Sequence, residues 1–153
     1  MNELKNQAFA LMNTWTTGEV SGLADIIAPQ FEEIDRPQAK AQGLDGLREK
    51  LALFHEVHTQ VTLSVRKQVV DGDLVCTQWM ITAALRTPDD PTATQPQRVA
   101  IPGVSWAYFA DGKIVKHRVY RDSVGYLMQR GYQWSPAAPK AARLAAPQPE
   151  TQP

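Results

Sequence analysis

The chain of 153 residues carries one cysteine and three histidines, and its 16 Lys and Arg are matched by 16 Asp and Glu. It also lacks any long apolar run. Each shortage removes a class of function. Cys76 has no partner for an internal disulfide and no charged neighbour in its strand-like run, so a reactive thiolate is not expected. The balanced charge creates no field that would attract nucleic acid or an anionic membrane. Charged and polar residues interrupt Met1 to Val20, so neither a signal peptide nor a transmembrane helix is expected, and a cytoplasmic location fits. Two of the histidines, His55 and His58, stand three apart in HEVH rather than four apart as a helical zinc-protease signature requires. No third ligand accompanies them, so no metal is expected. No repeat of solenoid length is present. A small molecule or a second protein copy is left as the natural partner.

What is present reads as one domain over residues 1–134, followed by a Pro/Ala-rich flexible tail over 135–153. Leu4, Ala8, Leu11, Met12 and Trp15 recur at helical spacing, with Gly18 placed to end a first helix over about 2–17. Ser21 is a plausible cap for a second helix reaching Ala28, which Pro29 would end. Phe31 to Asp35 reads as a short strand stopped by Pro37. Gly43 then introduces a third helix whose Leu44, Leu47, Leu51, Phe54 and His58 share one face. From Val61 the period becomes two, turning at Asp71-Gly72 into Leu74–Leu85. Residues 86–97 hold three prolines and form a loop long enough to act as a lid. Val99–Phe109 and Lys113–Arg121 flank Asp111-Gly112, a strong hairpin signal because a tight primed turn needs residues that tolerate positive φ. Ser123 onward is a short helical run closing on Gly131. Helices first and hairpins after give an α+β domain, a cone-shaped curved antiparallel sheet packed on N-terminal helices, with the other sheet face free to pair with a second copy.

The phrase AQGLDGLREKLALFHEV (Ala41 to Val57) and above all DGKIVKHRVYRDSVGYLMQRG (Asp111 to Gly131) resemble the SnoaL-like polyketide cyclases of the nuclear transport factor 2-like superfamily. Asp111, Gly112, Lys113, Ile114, His117, Asp122, Gln129 and Gly131 match the family's C-terminal pattern. The similarity runs from Leu4 to Gly131. It implies a cofactor-independent enzyme in which Asp122 is the acid/base of an intramolecular aldol closure. Two departures alter the pocket: Arg118 stands where the family usually has Trp, and ALRTPDD (Ala84 to Asp90) replaces a histidine-bearing segment.

Alternation along the last strand puts Ile114, Lys116, Arg118, Tyr120 and Asp122 on one face, and the resemblance suggests that this face looks inward. Lys116 fits poorly there unless it lies at the mouth or a bulge shifts the register. Asp122, Tyr120, Arg118 and Asp35 are the candidate catalytic residues: Asp122 moves the proton, Tyr120 and Arg118 stabilise an oxyanion, and Asp35 supplies a second carboxylate. Each has a plainer role open to it. Asp122 is also a natural helix N-cap, Arg118 and Tyr120 suit a surface strand, and Asp35 suits a turn. Trp15, Phe31, Phe54, His58, Trp79, Trp106 and Tyr108 are candidate substrate-binding residues that would equally serve a core. His117 falls on the outer face, at a dimer interface. The expectation is a cyclase- or isomerase-type enzyme acting next to a carbonyl of an apolar, cyclic or polyketide-like molecule, forming a homodimer. The alternatives are an epoxide hydrolase-like enzyme and a non-catalytic binding or assembly module.

Overall fold

A computed structural model describes residues 2–36, 39–133 and 135–136. Its elements are α1 (Glu3–Thr17), a 3₁₀ turn (Ser21–Leu23), β1 (Ile27–Arg36), β2 (Ala39–Gln42), α2 (Gly43–Val57), β3 (His58–Asp71), β4 (Leu74–Leu85), β5 (Arg98–Ala110), β6 (Lys113–Arg121) and α3 (Ser123–Gln129). The tail expected over 135–153 lies outside the described residues apart from Ser135 and Pro136. Among the described residues no helix is long and apolar enough to cross a membrane.

Local chemistry sets the helix ends. The Asn2 side chain accepts from the backbone of Leu4 and Lys5, and Gly18 takes the left-handed conformation and donates to Thr14. The second helix expected from Ser21 to Ala28 is only one 3₁₀ turn, because the chain enters β1 at Ile27. Pro29 is tolerated inside that strand since the β1 ladder is interrupted between Ile27 and Glu32, where no N–H is required of it.

The six strands form one curved, open sheet in the order β2-β1-β6-β5-β4-β3, with β2 and β3 as edges. Neighbours pair antiparallel except β1 and β6, which are parallel. Helices α1 and α2 cover the inner face. The core between them holds Leu11, Phe31, Leu47, Leu51, Val75 and Ile114, each with no exposed surface. Burial of one such side chain is worth about 1.5–3 kcal/mol, which is what binds the helices to the sheet.

Two details position the site. Across β5 and β6, Tyr108 pairs with Lys116 but Phe109 pairs with Ile114, so Val115 is an extra residue on β6. That bulge exchanges the faces: Ile114, His117 and Val119 are buried, whereas Lys116, Arg118 and Tyr120 are exposed. The second detail lies beyond the end of β6, where β5 has lost its neighbour. There the Gln129 amide takes the neighbour's place, accepting from Ala100 N at 2.7 Å and donating to Ala100 O at 2.8 Å. The α3 helix is thereby fastened to the sheet. The loop 86–97 is held down as well, through two Arg130 hydrogen bonds to Asp89 of 2.7 and 3.0 Å.

Candidate functional site

The bulge in β6 corrects the inward placement of Arg118, Tyr120 and Asp122. Arg118 and Tyr120 lie on the outer face, where the guanidinium donates to the Tyr120 hydroxyl at 3.1 Å and Tyr120 is 54% exposed. Trp106 and Tyr108 share that face, opposite Arg118 and Lys116, and so line no interior cavity. Asp122 is exposed and caps α3, its Oδ1 accepting from Gly125 N at 2.7 Å. With Tyr120 it borders an open outer groove of about 670 Å³. His117, expected outside, is 1% exposed and faces the core.

Four of the expected residues do meet on the inner face. Trp15, Phe54, Trp79 and Asp35 line one enclosed cavity with Met12, Ile81, Ile101, Val119, Lys50 and Arg121. The cavity offers only about 20 Å³, room for a single water-sized group rather than several rings. The protein's own aromatics fill the rest: Trp15 and Phe54 pack edge to face, ring centres 5.1 Å apart. Trp79 is fixed from behind by Gly103, its cross-strand partner, since a Cβ there would overlap the indole. Outside the cavity a groove of about 420 Å³ runs between α2 and the β1–β2 edge, and Asp35, Lys50, Phe54, Trp15 and Arg121 line both spaces.

Phe31 and His58 support this wall without lining it. Phe31 is wholly buried in the core behind it. His58 stacks on Phe54 at 4.2 Å, with Nδ1 against Phe54 O and Nε2 against the Tyr126 hydroxyl, both at 2.9 Å. A carbonyl accepts only, so Nδ1 carries the proton and Tyr126 donates to Nε2. Burial lowers the His58 pKa below 6.5, as do the charges of Arg130, Arg121 and His55, against the opposing Phe54 carbonyl.

Behind the cavity runs a chain of charge. Glu33, with no exposed surface, accepts from His117 Nδ1 at 2.9 Å and from Lys50 Nζ at 2.8 Å. Burial pushes its pKa up, but the hydrogen bonds and charges of His117 and Lys50 outweigh that and hold it at about 2. Lys50 also lies 3.5 Å from Asp35 Oδ2, to which Arg121 donates at 3.1 Å. The Asp35 side chain is 5% exposed, and its Oδ1 has no hydrogen-bond partner among the described residues. Arg36 Nε, at 3.7 Å from that oxygen, is too distant to supply one. Trp79, which lines the same cavity, has an Nε1 that is likewise buried and unpartnered among the described residues. Buried polar atoms are rarely left so, and here one is an acceptor and the other a donor.

Glu33, Lys50, His117 and Arg121 are functional candidates that the sequence reading did not select. Two had a signal: Glu33 and Asp35 alternate with Phe31 on one face of β1, and Lys50 lies among Leu47, Leu51 and Phe54 on the packed face of α2. His117 and Arg121 required the bulge. Among the described residues no three His, Cys, Asp or Glu side chains are grouped to hold a metal ion.

The family model of the SnoaL-like polyketide cyclases matches residues 7–130. The chain belongs to that family. Among solved structures, this SnoaL-like chain is similar to a candidate SnoaL-like polyketide cyclase from Shewanella putrefaciens CN-32, at 16% identity over 87% of this chain and 99% of that one, with a TM-score of 0.72. A candidate SnoaL-like polyketide cyclase from Jannaschia sp. CCS1 gives a TM-score of 0.71 at 19% identity, covering 86% of this chain and 93% of its own. A protein with a ketosteroid isomerase-like fold from Catenulispora acidiphila DSM 44928, in complex with trimethylamine, gives 0.67 at 19% identity, covering 85% and 97%. At these identities the likeness establishes the fold alone. No curated protein matches this SnoaL-like chain in sequence.

Proposed function

We propose that this SnoaL-like protein is a cofactor-independent acid/base enzyme of the cyclase or isomerase type, acting next to a carbonyl of an apolar small molecule, with Asp35 rather than Asp122 moving the proton. One observation carries the reading: Asp35 and Trp79 line the same cavity, and each has a buried polar atom, a carboxylate oxygen in one and an indole N–H in the other, without a partner among the described residues. A ketone reaching in from the mouth satisfies both. Its carbonyl oxygen accepts from Trp79 Nε1, and Asp35 Oδ1 takes the proton from the adjacent carbon. The resulting enolate either attacks a second carbonyl of the same molecule, closing a ring while the alkoxide formed from that carbonyl takes the proton back from Asp35, or recovers the proton from Asp35 at another carbon. Arg121 and Lys50 hold the other carboxylate oxygen and put positive charge beside the developing oxyanion. Trp15 and Phe54 supply the apolar wall.

The test is α-deuteration of 2-tetralone in D₂O, followed by proton NMR above the buffer background. Asp35→Asn should lose about a hundredfold or more in rate, and Trp79→Phe, which keeps an aromatic ring, though a smaller one, and removes the N–H, should lower kcat more than it raises KM. Unchanged rates in both variants would contradict these roles of Asp35 and Trp79, and no exchange above background in the unaltered protein would leave a non-catalytic binding module.

The size of the cavity favours a second reading. About 20 Å³ suits one water, which Trp79 and Asp35 would bind and Asp35 would activate against an epoxide at the mouth. Hydrolysis of styrene oxide in ¹⁸O-water, with label in the diol and none from Asp35→Asn, would select it. A homodimer centred on the outer face of β4 and β5 is part of the same proposal, supported by the 39% exposure of Trp106 there. Trp106→Glu should then shift the protein to monomer in light scattering. A cytoplasmic place fits the lone Cys76.

A further inference from the structure

The groove at the cavity mouth has two unlike walls. One is apolar, made by Trp15, Phe54 and the exposed Leu53. The other is cationic, made by Arg36, Lys40 and Arg121, with Lys50 at the floor. Asp35 is the shared counter-charge of Lys50, Arg121 and Arg36, at 3.5, 3.1 and 3.7 Å. One carboxylate does not neutralise three cations. Glu33 takes up part of the Lys50 charge and none of the Arg36 charge. Lys40 has no carboxylate within 4.0 Å among the described residues, and Arg36, with 71% of its side chain exposed, has only its share of Asp35. Glu49 is the other acid on this groove. Arg36 and Lys40 also border a second groove of about 430 Å³ on the far side of the ridge they form, where Lys116 and Arg118 stand against Glu32 and Asp35. The local excess of positive charge therefore persists on both sides, in a protein with none overall.

The geometry points to a substrate that carries an anionic oxygen group, a carboxylate or a phosphate, seated between Arg36 and Lys40 while its apolar body lies along Trp15, Leu53 and Phe54. This rests on the reading above, in which the reacting end enters at Asp35, and adds the class of molecule delivered there. An anion at the ridge completes the charge that Asp35 leaves unbalanced, and it sets which end of the molecule points inward. A guanidinium and an ammonium side by side suit an oxyanion: the first offers two parallel donors, the second a mobile point charge.

Calorimetric titration of the full chain with 2-naphthoate, 2-naphthyl phosphate and the neutral 2-naphthamide tests this. At least one anion should bind about tenfold tighter than the amide, the tighter of the two identifying the group, and the preference should shrink as salt is added. Arg36→Gln with Lys40→Gln should abolish the preference, whereas Lys67→Gln, an exposed cation on β3 at the opposite edge of the sheet, should keep it. Equal affinity of anions and amide, a preference that survives the double variant, or no binding of any probe would overturn the inference. The titration involves no turnover, so the two proposals fail separately. Absence of an anion preference in the unaltered protein, with Asp35-dependent exchange intact, refutes only the handle; a preference that depends on Arg36 and Lys40, with exchange indifferent to Asp35→Asn, refutes only the chemistry.

Discussion

Asp35 and Asp122 stand at the ends of strands β1 and β6, and both are carboxylates beside arginines, yet they have opposite surroundings. Asp35 is 5% exposed, held through one oxygen by Arg121 and Lys50, with the other oxygen unpartnered among the described residues. Asp122 is exposed and engaged at the first turn of α3. What separates them is the extra residue Val115, which exchanges the faces of β6 and brings Arg121 and His117 inward while turning Tyr120 and Arg118 out. A carboxylate at a strand end therefore becomes a site or a cap according to register, since one residue of slip moves every side chain to the other face.

The largest effect that would sharpen this contrast is on the inner side. Glu33→Gln leaves His117 without its buried counter-charge and Lys50 with Asp35 alone, and should cost about 3–5 kcal/mol of stability in urea denaturation. Arg118→Gln on the outer face should change it by less than about 0.5 kcal/mol. A similar cost for the two would erase the distinction between faces.

Acid should expose the same asymmetry. Glu33 has its pKa lowered from 4.5 to about 2 in the folded protein, so the unfolded chain binds the proton first. Its contribution is present above pH 4.5 and is lost as pH falls through about 2, an effect of roughly 3 kcal/mol for one fully buried group. His58, also lowered, adds a smaller loss of the same sign that begins as pH drops below 6.5. A denaturation midpoint flat between pH 5 and about 2 would contradict the buried chain of charge.

The smallest effect belongs to the outer carboxylate. Asp122→Ala removes a cap and should cost about 1 kcal/mol in thermal or urea unfolding, and Asp122→Asn, which caps equally well, should cost little. Neither should alter ketone exchange.

Much of the fold was legible because its signals are local. The spacing of Leu4 to Trp15, the alternation from Val61, and Asp111-Gly112, both with positive φ, report α1, β3 and the β5–β6 turn directly. The cluster behind the cavity was not legible, because it joins Glu33 to Lys50 and His117 across 17 and 84 residues. Its assembly depends on the parallel pairing of β1 with β6, which leaves no turn between them to be read. Of the aromatics, Trp15, Phe54 and Trp79 line the cavity, whereas Trp106 and Tyr108 alternate outward from Ser105 and Ala107. Composition is blind to that choice of face.

The most direct measurement is the ratio of 2-tetralone deuteration rates for Asp122→Asn and Asp35→Asn, taken side by side on folded protein. A proton-moving Asp35 gives a ratio of about a hundred or more, with Asp122→Asn close to the unaltered protein. A ratio near one, or the opposite ordering, would contradict it.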